Sequence, residues 1–395
     1  MTNSVSPHQG SLQSLELFAG AGGLALGMTK AGIQHHGVIE WNTDACETIR
    51  QNRTAGHSLV QHWPEPTEAD VRGVDFSPFQ GIDILSGGPP CQPFSAGGKH
   101  QAFLDTRDMF PQAIRAVRDI RPRAFMFENV RGLTRPSFAN YFAYILLQLE
   151  YPNLIAKPSE QWSEHLSRLE RHKTRGAKPE YRVIFRVLDA ADFGVPQRRH
   201  RVVFVGIRED LKKEFSFPWP THTQEALLFD QYVSGDYWER HKVAKKARPN
   251  PPPSLQKRIL HLRDALRPTM GQPWQTVRDA ICDLPDPEKY PNNKIQAHRF
   301  QPGARSYPGH TGSPLDEPSK ALKAGDHGVP GGENMMRQLD GTVRYFTVRE
   351  SARIQTFPDD YHFSGSWGEV MRQLGNAVPV DLGRAVASRL VEVLV

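Results

Sequence analysis

The chain is poor in cysteine: three in 395 residues, Cys46, Cys91 and Cys282, an odd number with no Cys-x-x-Cys spacing. That argues against a disulfide framework and against a zinc site, so no metal is expected. It also lacks any uninterrupted apolar run approaching the length of a bilayer span, and its polar start, Met1-Thr2-Asn3-Ser4, has no signal-peptide pattern. A cytoplasmic protein with no membrane partner is the resulting expectation. Excess charge is small as well. A net +6, from 49 Lys and Arg against 43 Asp and Glu, gives only a weak preference for a polyanion. What remains, 38% hydrophobic and 23% charged, is ordinary globular composition, long enough for two domains and a sizeable core.

The chain is organised around Asp83-Ile84-Leu85-Ser86-Gly87-Gly88-Pro89-Pro90-Cys91-Gln92-Pro93-Phe94-Ser95. Ile82, Ile84 and Leu85 read as the end of a buried strand. Two glycines then let the backbone turn and approach another group closely, and three prolines fix φ. A stiff loop therefore holds Cys91 at a strand's carboxyl end, where open α/β sheets place their ligands. Free cysteine is most often a small buried apolar residue. Three prolines around one thiol fit a nucleophile on a rigid loop better.

Upstream, Leu15-Glu16-Leu17-Phe18 reads as a strand running into Ala19-Gly20-Ala21-Gly22-Gly23 and then a helix through Leu24, Leu26 and Met28. Strand, glycine turn and helix make the first unit of a nucleotide-binding α/β fold. A second strand, Gly37-Val38-Ile39, ends at Glu40-Trp41, and Glu40 lies 20 residues after Gly20, the spacing a carboxylate needs to accept both ribose hydroxyls. Yet Gly20-Ala21-Gly22-Gly23 is not Gly-x-Gly-x-x-Gly, which counts against a nicotinamide-dependent oxidoreductase. Ala124-Phe125-Met126-Phe127 is a further buried strand, ending in the polar pair Glu128-Asn129. An amphipathic helix opens near Arg107-Asp108-Met109-Phe110, and an apolar helix spans 138–149. Residues 151–180 read as a polar insertion with Trp162, Leu166 and Leu169 at helical spacing.

Farther on, strands Tyr181-Arg182-Val183-Ile184-Phe185 and Arg201-Val202-Val203-Phe204-Val205 flank Gly194-Val195-Pro196-Gln197-Arg198-Arg199-His200. From about Lys212 the texture changes. Thirteen of the 32 prolines fall between Pro249 and Pro318, and periodicity fades. Between Lys242 and Arg305 there are 13 Lys and Arg against 5 Asp and Glu, an excess larger than that of the whole chain. A basic domain, with Trp238, Trp274, Tyr290 and Tyr307 interleaved, is the footprint of nucleic-acid binding; a solvated basic surface is the plainer alternative. The chain then offers the glycine-rich loop 323–334, the segment Arg344 to Pro358, and Gln373-Leu374-Gly375-Asn376-Ala377-Val378-Pro379 before a helix carrying Leu382, Val386, Leu390 and Leu394.

Taken in order, Pro89-Pro90-Cys91-Gln92-Pro93-Phe94-Ser95, Glu128-Asn129-Val130, the Gln-x-Arg-x-Arg core (Gln197, Arg199, Arg201), Arg349-Glu350-x-x-Arg353-x-Gln355-x-Phe357-Pro358 and Gln373-x-Gly375-Asn376-x-Val378 resemble the motifs of the DNA cytosine C5-methyltransferase family. The resemblance spans Leu15 to Pro379 and leaves about Lys212 to Asp340 unmatched. It implies an α/β chain: a Rossmann-like, S-adenosylmethionine-dependent catalytic domain (12–211), a smaller irregular target-recognition domain (212–345), and a return to the catalytic domain (346–395). By the same resemblance Cys91 attacks carbon 6 of a flipped-out cytosine and Glu128 hydrogen-bonds ring nitrogen 3. Arg201 holds the base and Arg199 supports it. The cofactor would lie against Phe18, Ala19, Gly20, Gly22, Gly23, Leu24, Glu40, Trp41, Asp70, Val71, Pro90, Asn376 and Ala377. Asp108 or Met109 falls near it too, although a carboxylate at a helix start is an equal reading. Double-stranded DNA is the expected partner. A cognate restriction endonuclease would act on the same site without a stable complex, and the enzyme would be a monomer. A transfer-RNA cytosine methyltransferase and a catalytically silent DNA-binding module are the rival readings; the intact Cys91 and Glu128 disfavour the second.

Overall fold

The computed structural model describes residues 11–90, 108–264, 271–324 and 334–395. Cys91 and most of the glycine-rich loop 323–334 lie outside them. The chain divides into two compact units, Met1–Val187 with Val202–Phe217 and Gly383–Val395, and Leu188–Arg201 with Pro218–Leu382.

In the first unit β1 (Gln13–Leu17), α1 (Gly23–Lys30), β2 (Gln34–Glu40), α2 (Thr43–Thr54) and β3 (Thr67–Glu68) follow one another, and β4 (Ile84–Gly87) comes next. Then come α3 (Phe110–Ile120), β5 (Ala124–Val130), α4 (Ala139–Glu150) and α5 (Trp162–Thr174), with β6 (Tyr181–Asp189) running into, and β7 (His200–Arg208) out of, the segment Leu188–Arg201 that belongs to the second unit. The strands form one seven-stranded sheet in the order β3-β2-β1-β4-β5-β7-β6. β1 pairs in parallel with both β2 and β4, and β4 with β5. Chain order thus reverses between β1 and β4. Such a switch point opens a crevice at the carboxyl ends of the strands, where doubly wound sheets bind their ligands.

Alternation along the strands decides which layer each side chain joins. Leu15, Leu17, Leu85, Phe125 and Phe127 face one layer, where they pack with Phe110, Ile114, Val117 and Ile120 of α3 and with Ile145 and Leu149 of α4. The apolar residues of α3 recur at helical spacing and all are buried, and the helix ends where Arg121 turns left-handed at φ 54°. On the opposite face, the buried His35 joins Ser14 Oγ (2.9 Å) to Ala25 O of α1 (3.0 Å). That satisfied imidazole explains why β2 starts at Gln34, three residues before the apolar run that the sequence pattern marks. Gly383 packs on α1 as well, since a Cβ there would lie 3.2 Å from Leu24.

The second unit is built of short elements around two small cores. Ala191, Leu227, Tyr237, Trp238 and Trp274 form one, and Val277, Ile281, Leu322, Met336, Phe346 and Ile354 the other. Trp238 and Trp274, grouped by sequence with the basic surface, are therefore core residues. Tyr290 and Tyr307 are exposed. The faded periodicity reflects elements such as the helices Gln224–Phe229 and Val277–Ile281, too short to show a stripe.

Candidate active site

The carboxyl ends of β1, β2, β4 and β5 carry the groups that the motifs single out. After β1 the chain enters a left-handed residue at Phe18 (φ 56°), uncommon for an aromatic side chain, and turns again at Gly20 (φ 52°) and Gly22 (φ 85°). A Cβ at Gly20 would meet nothing within 4 Å, so the turn borders open space. Gly22 caps α1 without a side-chain hydrogen bond, and no acidic residue stands in the helix's first turn. The first-turn amides have no acceptor within the helix, which leaves its N-terminus electropositive.

Glu40, at the tip of β2, is 7% exposed and locked by backbone donors: Gly20 N to Oε2 (2.7 Å), Trp41 N and Asn42 N to Oε1 (2.9 Å each). The Glu40 side chain thereby fixes the glycine turn, and its Oε2, which accepts one of these bonds, retains a lone pair for a further donor. Trp41 beside it is 71% exposed, a bare aromatic face next to a carboxyl group. Asp70 caps the turn Val71–Gly73, accepts from Arg72 N (2.9 Å) and pairs with the Arg72 guanidinium, which holds its carboxyl below the usual range. Val71 is buried and its carbonyl accepts from Arg115 Nη2 (2.7 Å). Open turn, anchored carboxyl, exposed indole and second carboxylate suit an adenosine with a charged amino-acid tail. The donor set fits S-adenosylmethionine.

The β4 terminus is built just as tightly. A Cβ at Gly87 would overlap the Leu17 carbonyl of β1, so only glycine allows the two strands to approach this closely. Pro89 O accepts from Asn129 Nδ2 (2.8 Å) and Pro90 O from Met109 N (2.9 Å). The loop that leads to Cys91 is thus held on two sides up to its last described residue. Glu128, one residue before Asn129, is 8% exposed, and a Cβ on Gly88 would sit 3.2 Å from its Oε2. Asn129 is a part of this site that its motif position alone did not explain. Asp108 accepts from Phe110 N (3.2 Å) and from the Tyr141 hydroxyl, the geometry of a helix-start carboxylate. Cys46 is buried, and its burial, with Glu40 adding, pushes the thiol up to about 12. It is no competitor as nucleophile.

In the second unit the Gln-x-Arg-x-Arg residues alternate. Gln197 and Arg199 are buried at 0% and 1% exposure, whereas Arg198 is half exposed, lying over Trp274 (5.2 Å) with its Nε 3.3 Å from Asp189. Arg199 donates to Leu322 O (2.7 Å), Gly375 O (2.6 Å) and Ala377 O (2.9 Å). Gln197 accepts from Leu322 N (2.9 Å) and donates to Gln355 Oε1 (3.1 Å), whose own amide donates to Leu374 O. Arg199 therefore organises the turn that carries Asn376 and Ala377. Asn376 itself is exposed. Arg201 is half-buried and donates to the His200 carbonyl (2.9 Å). The Arg-Glu-x-x-Arg segment is structural throughout: Arg344 pairs with buried Glu350 (2.6 Å), and Arg349 donates to three carbonyls, those of Gln296, Pro358 and Tyr361.

Known proteins resemble this chain in sequence and in fold. The chain is 31% identical to the Type II methyltransferase M.NgoMIV of Neisseria gonorrhoeae, over 96% of this chain and 97% of that protein. It is 33% identical to the Type II methyltransferase M.Eco47II of Escherichia coli, over 96% of this chain and 79% of that one. Among solved structures the Dnmt2 methyltransferase of S. pombe aligns with a TM-score of 0.55 at 18% identity, covering 97% and 99% of the two chains, which supports the fold alone. The model for C-5 cytosine-specific DNA methylases matches residues 12–153 and 164–392, and the chain belongs to the C-5 cytosine-specific DNA methylase family, enzymes that use S-adenosylmethionine.

Proposed function

We propose that this DNA cytosine-5 methyltransferase modifies one short duplex sequence, with Cys91 as nucleophile and Glu128 as the acid that assists it. The observation that carries the assignment is the adjacency of Glu128 to Gly88, three residues before Cys91, with Asn129 tethering the loop between them. Carbon 5 of cytosine is a poor nucleophile until the ring becomes an enamine. The Cys91 thiolate bonds to carbon 6, and Glu128 hydrogen-bonds nitrogen 3 as electron density enters the ring. Arg201 stabilises the adduct beside oxygen 2, and Arg199 acts through the turn it holds. When bound, S-adenosylmethionine supplies an electrophilic methyl on a sulfonium. Loss of the carbon-5 proton, to water, then breaks the carbon–sulfur bond and frees Cys91. The target base has to leave the duplex stack for this chemistry.

Gly20, Gly22, Gly23 and Leu24 would line the methionine end of the cofactor, with Phe18 and Ala19 beside it. Glu40 would accept from the ribose, Trp41 and Val71 would cover adenine, and Asp70 would take its amine. Pro90, Asn376 and Ala377 complete this proposed set. Residues 212–345 serve as the target-recognition domain, between catalytic segments 12–211 and 346–395. As with the Type II relatives, the role would be host protection in a restriction-modification system, by a cytoplasmic monomer that shares its site with an endonuclease but forms no stable complex with it. The test is incubation with radiolabelled S-adenosylmethionine and either unmethylated plasmid or transfer RNA, followed by bisulfite mapping. Label at one recurrent DNA sequence supports the proposal; label confined to transfer RNA overturns the substrate, and label in neither overturns the activity.

A further inference from the structure

Cations of the second unit differ in whether a carboxylate already answers them. Arg240, Arg248, Arg258, Arg278, Arg344 and Arg353 each pair with an Asp or Glu. Lys294, Arg299 and Arg305 are exposed, and none of the three has an acidic partner among the described residues. They fall in one stretch, for residues 289–315 contain four Lys or Arg and no Asp or Glu. The nearest acids in sequence, Asp286 and Glu288, stand before it, and Asp286 lies 3.6 Å from Lys289. Positive charge is therefore concentrated from Lys294 onward with no carboxylate in the stretch to cancel it.

Residues 290–299 form a loop without regular secondary structure, yet it is bonded at several points. Asn293 Nδ2 donates to Tyr290 O (2.9 Å) and His298 O (3.0 Å), which closes the loop on itself. The buried His298 ring bonds through Nδ1 to Thr347 Oγ1 (2.9 Å) and through Nε2 to Pro285 O (2.7 Å). Arg349 donates from its backbone N to Ala297 O (3.1 Å) and from Nε to Gln296 O (3.2 Å). Ala297 is left-handed at φ 57°, an uncommon conformation for alanine that these bonds hold in place. Arg299 donates through Nη1 to Pro291 O (3.2 Å) and Asn293 O (2.5 Å), the carbonyls on either side of Asn292. Carbonyls fix the guanidinium without neutralising it. Its Nε and Nη2, the side-on edge of the fork, meet no acceptor among the described residues, and Lys294 makes no bond within the loop.

We infer that the loop 290–299, together with Arg305, is a preformed surface for the phosphate backbone of duplex DNA: Arg299 takes two phosphate oxygens through Nε and Nη2, and Lys294 and Arg305 each neutralise one further phosphate. Because the loop is already fixed by its own bonds, little ordering is left to be done on binding. These contacts place the duplex and carry no sequence information, so they act equally on every sequence.

The inference rests on the proposed duplex substrate and narrows its recognition domain to one loop. Fluorescence anisotropy with a labelled duplex of arbitrary sequence, and with labelled transfer RNA, at about 50 to 200 mM salt gives the affinity and its salt slope for wild type, K294Q, R299Q, R305Q and R258Q. K294Q, R299Q and R305Q should each make the duplex slope shallower by about 0.9, which is a loss of roughly eightfold in affinity at about 0.1 M salt. R258Q removes the same charge from a residue of the helix Gln256–Asp264 that already pairs with Glu225, and its slope should match wild type. K294Q keeps the question decidable if R299Q loosens the loop, because Lys294 makes no bond there. A K294Q or R305Q slope equal to wild type overturns the phosphate surface while leaving the duplex substrate standing. An R258Q slope as shallow as theirs overturns it too, since net charge alone would then be the cause. A wild type that binds transfer RNA but not the duplex overturns the proposed substrate and this inference with it.

Discussion

Replacing Arg199 by Met tests how the second unit holds the turn at Gly375 and Ala377. The guanidinium is 1% exposed and donates to Leu322 O, Gly375 O and Ala377 O at 2.6–2.9 Å. A hydrogen bond from a charged donor contributes about 1.5–3 kcal/mol, and three that share one group are not additive. Methionine keeps part of the packing but supplies no donor, so a loss of about 3–5 kcal/mol is expected, less than the sum of about 1–3 kcal/mol for each of three carbonyls deprived of this donor. Urea denaturation followed by the fluorescence of Trp238 and Trp274, both buried in this unit, reads that change. R199K, with one ammonium for a three-carbonyl geometry, should fall between the two. Because the lost bonds hold the turn at Gly375 and Ala377, cofactor affinity should fall in R199M as well. Stability within about 1 kcal/mol of wild type, together with unchanged affinity, would refute the claim that Arg199 works by organising that turn.

Cys91→Ala should abolish turnover in the plasmid assay and leave calorimetric cofactor affinity nearly intact; lost affinity would make the residue structural. Glu40→Ala should weaken S-adenosylmethionine binding by at least roughly tenfold, since it removes both a ribose acceptor and the anchor of Gly20 N; an unchanged dissociation constant would sink that assignment. Gly87→Ala should destabilise the first unit by about 1–3 kcal/mol, because its methyl overlaps the Leu17 carbonyl, and a wild-type melting temperature would show that β1 and β4 can part without loss.

Much of the site was legible because its residues stand where apolar strands stop. Glu40 and Glu128 could be singled out from position alone, each closing a hydrophobic run; Glu40 is the last residue of β2, and β5 runs two residues past Glu128. Cooperation across the sheet could not be read. Nothing in the sequence near Asn129 announces a bond to Pro89 O, and nothing near Glu16 announces the Ser86 hydroxyl that donates to it, because register joins residues 40 and 70 apart. The alternation in Gln197-Arg198-Arg199-His200 was likewise hidden: three basic residues in a row look alike until one is buried against carbonyls and its neighbour stacks on an indole. The segment after Lys212 misled for a different reason. Aromatics among basic residues suggest a nucleic-acid surface, yet a domain of short helices needs Trp238 and Trp274 for its own small core.

The first unit is written in three pieces of chain, with residues 218–382 between the second piece and the third. A ribosome adding 5–20 residues per second needs roughly 8–33 s to cross that interval. All seven strands of the large sheet have emerged by then, but Gly383 has not yet reached Leu24, and the carbonyl of Leu394 that accepts from Arg123 Nη2 (2.8 Å) is still missing. The nascent sheet must wait with one flank uncovered, a window in which a chaperone or a neighbouring nascent chain could engage it. Completion of the first unit is thereby timed to follow synthesis of the second.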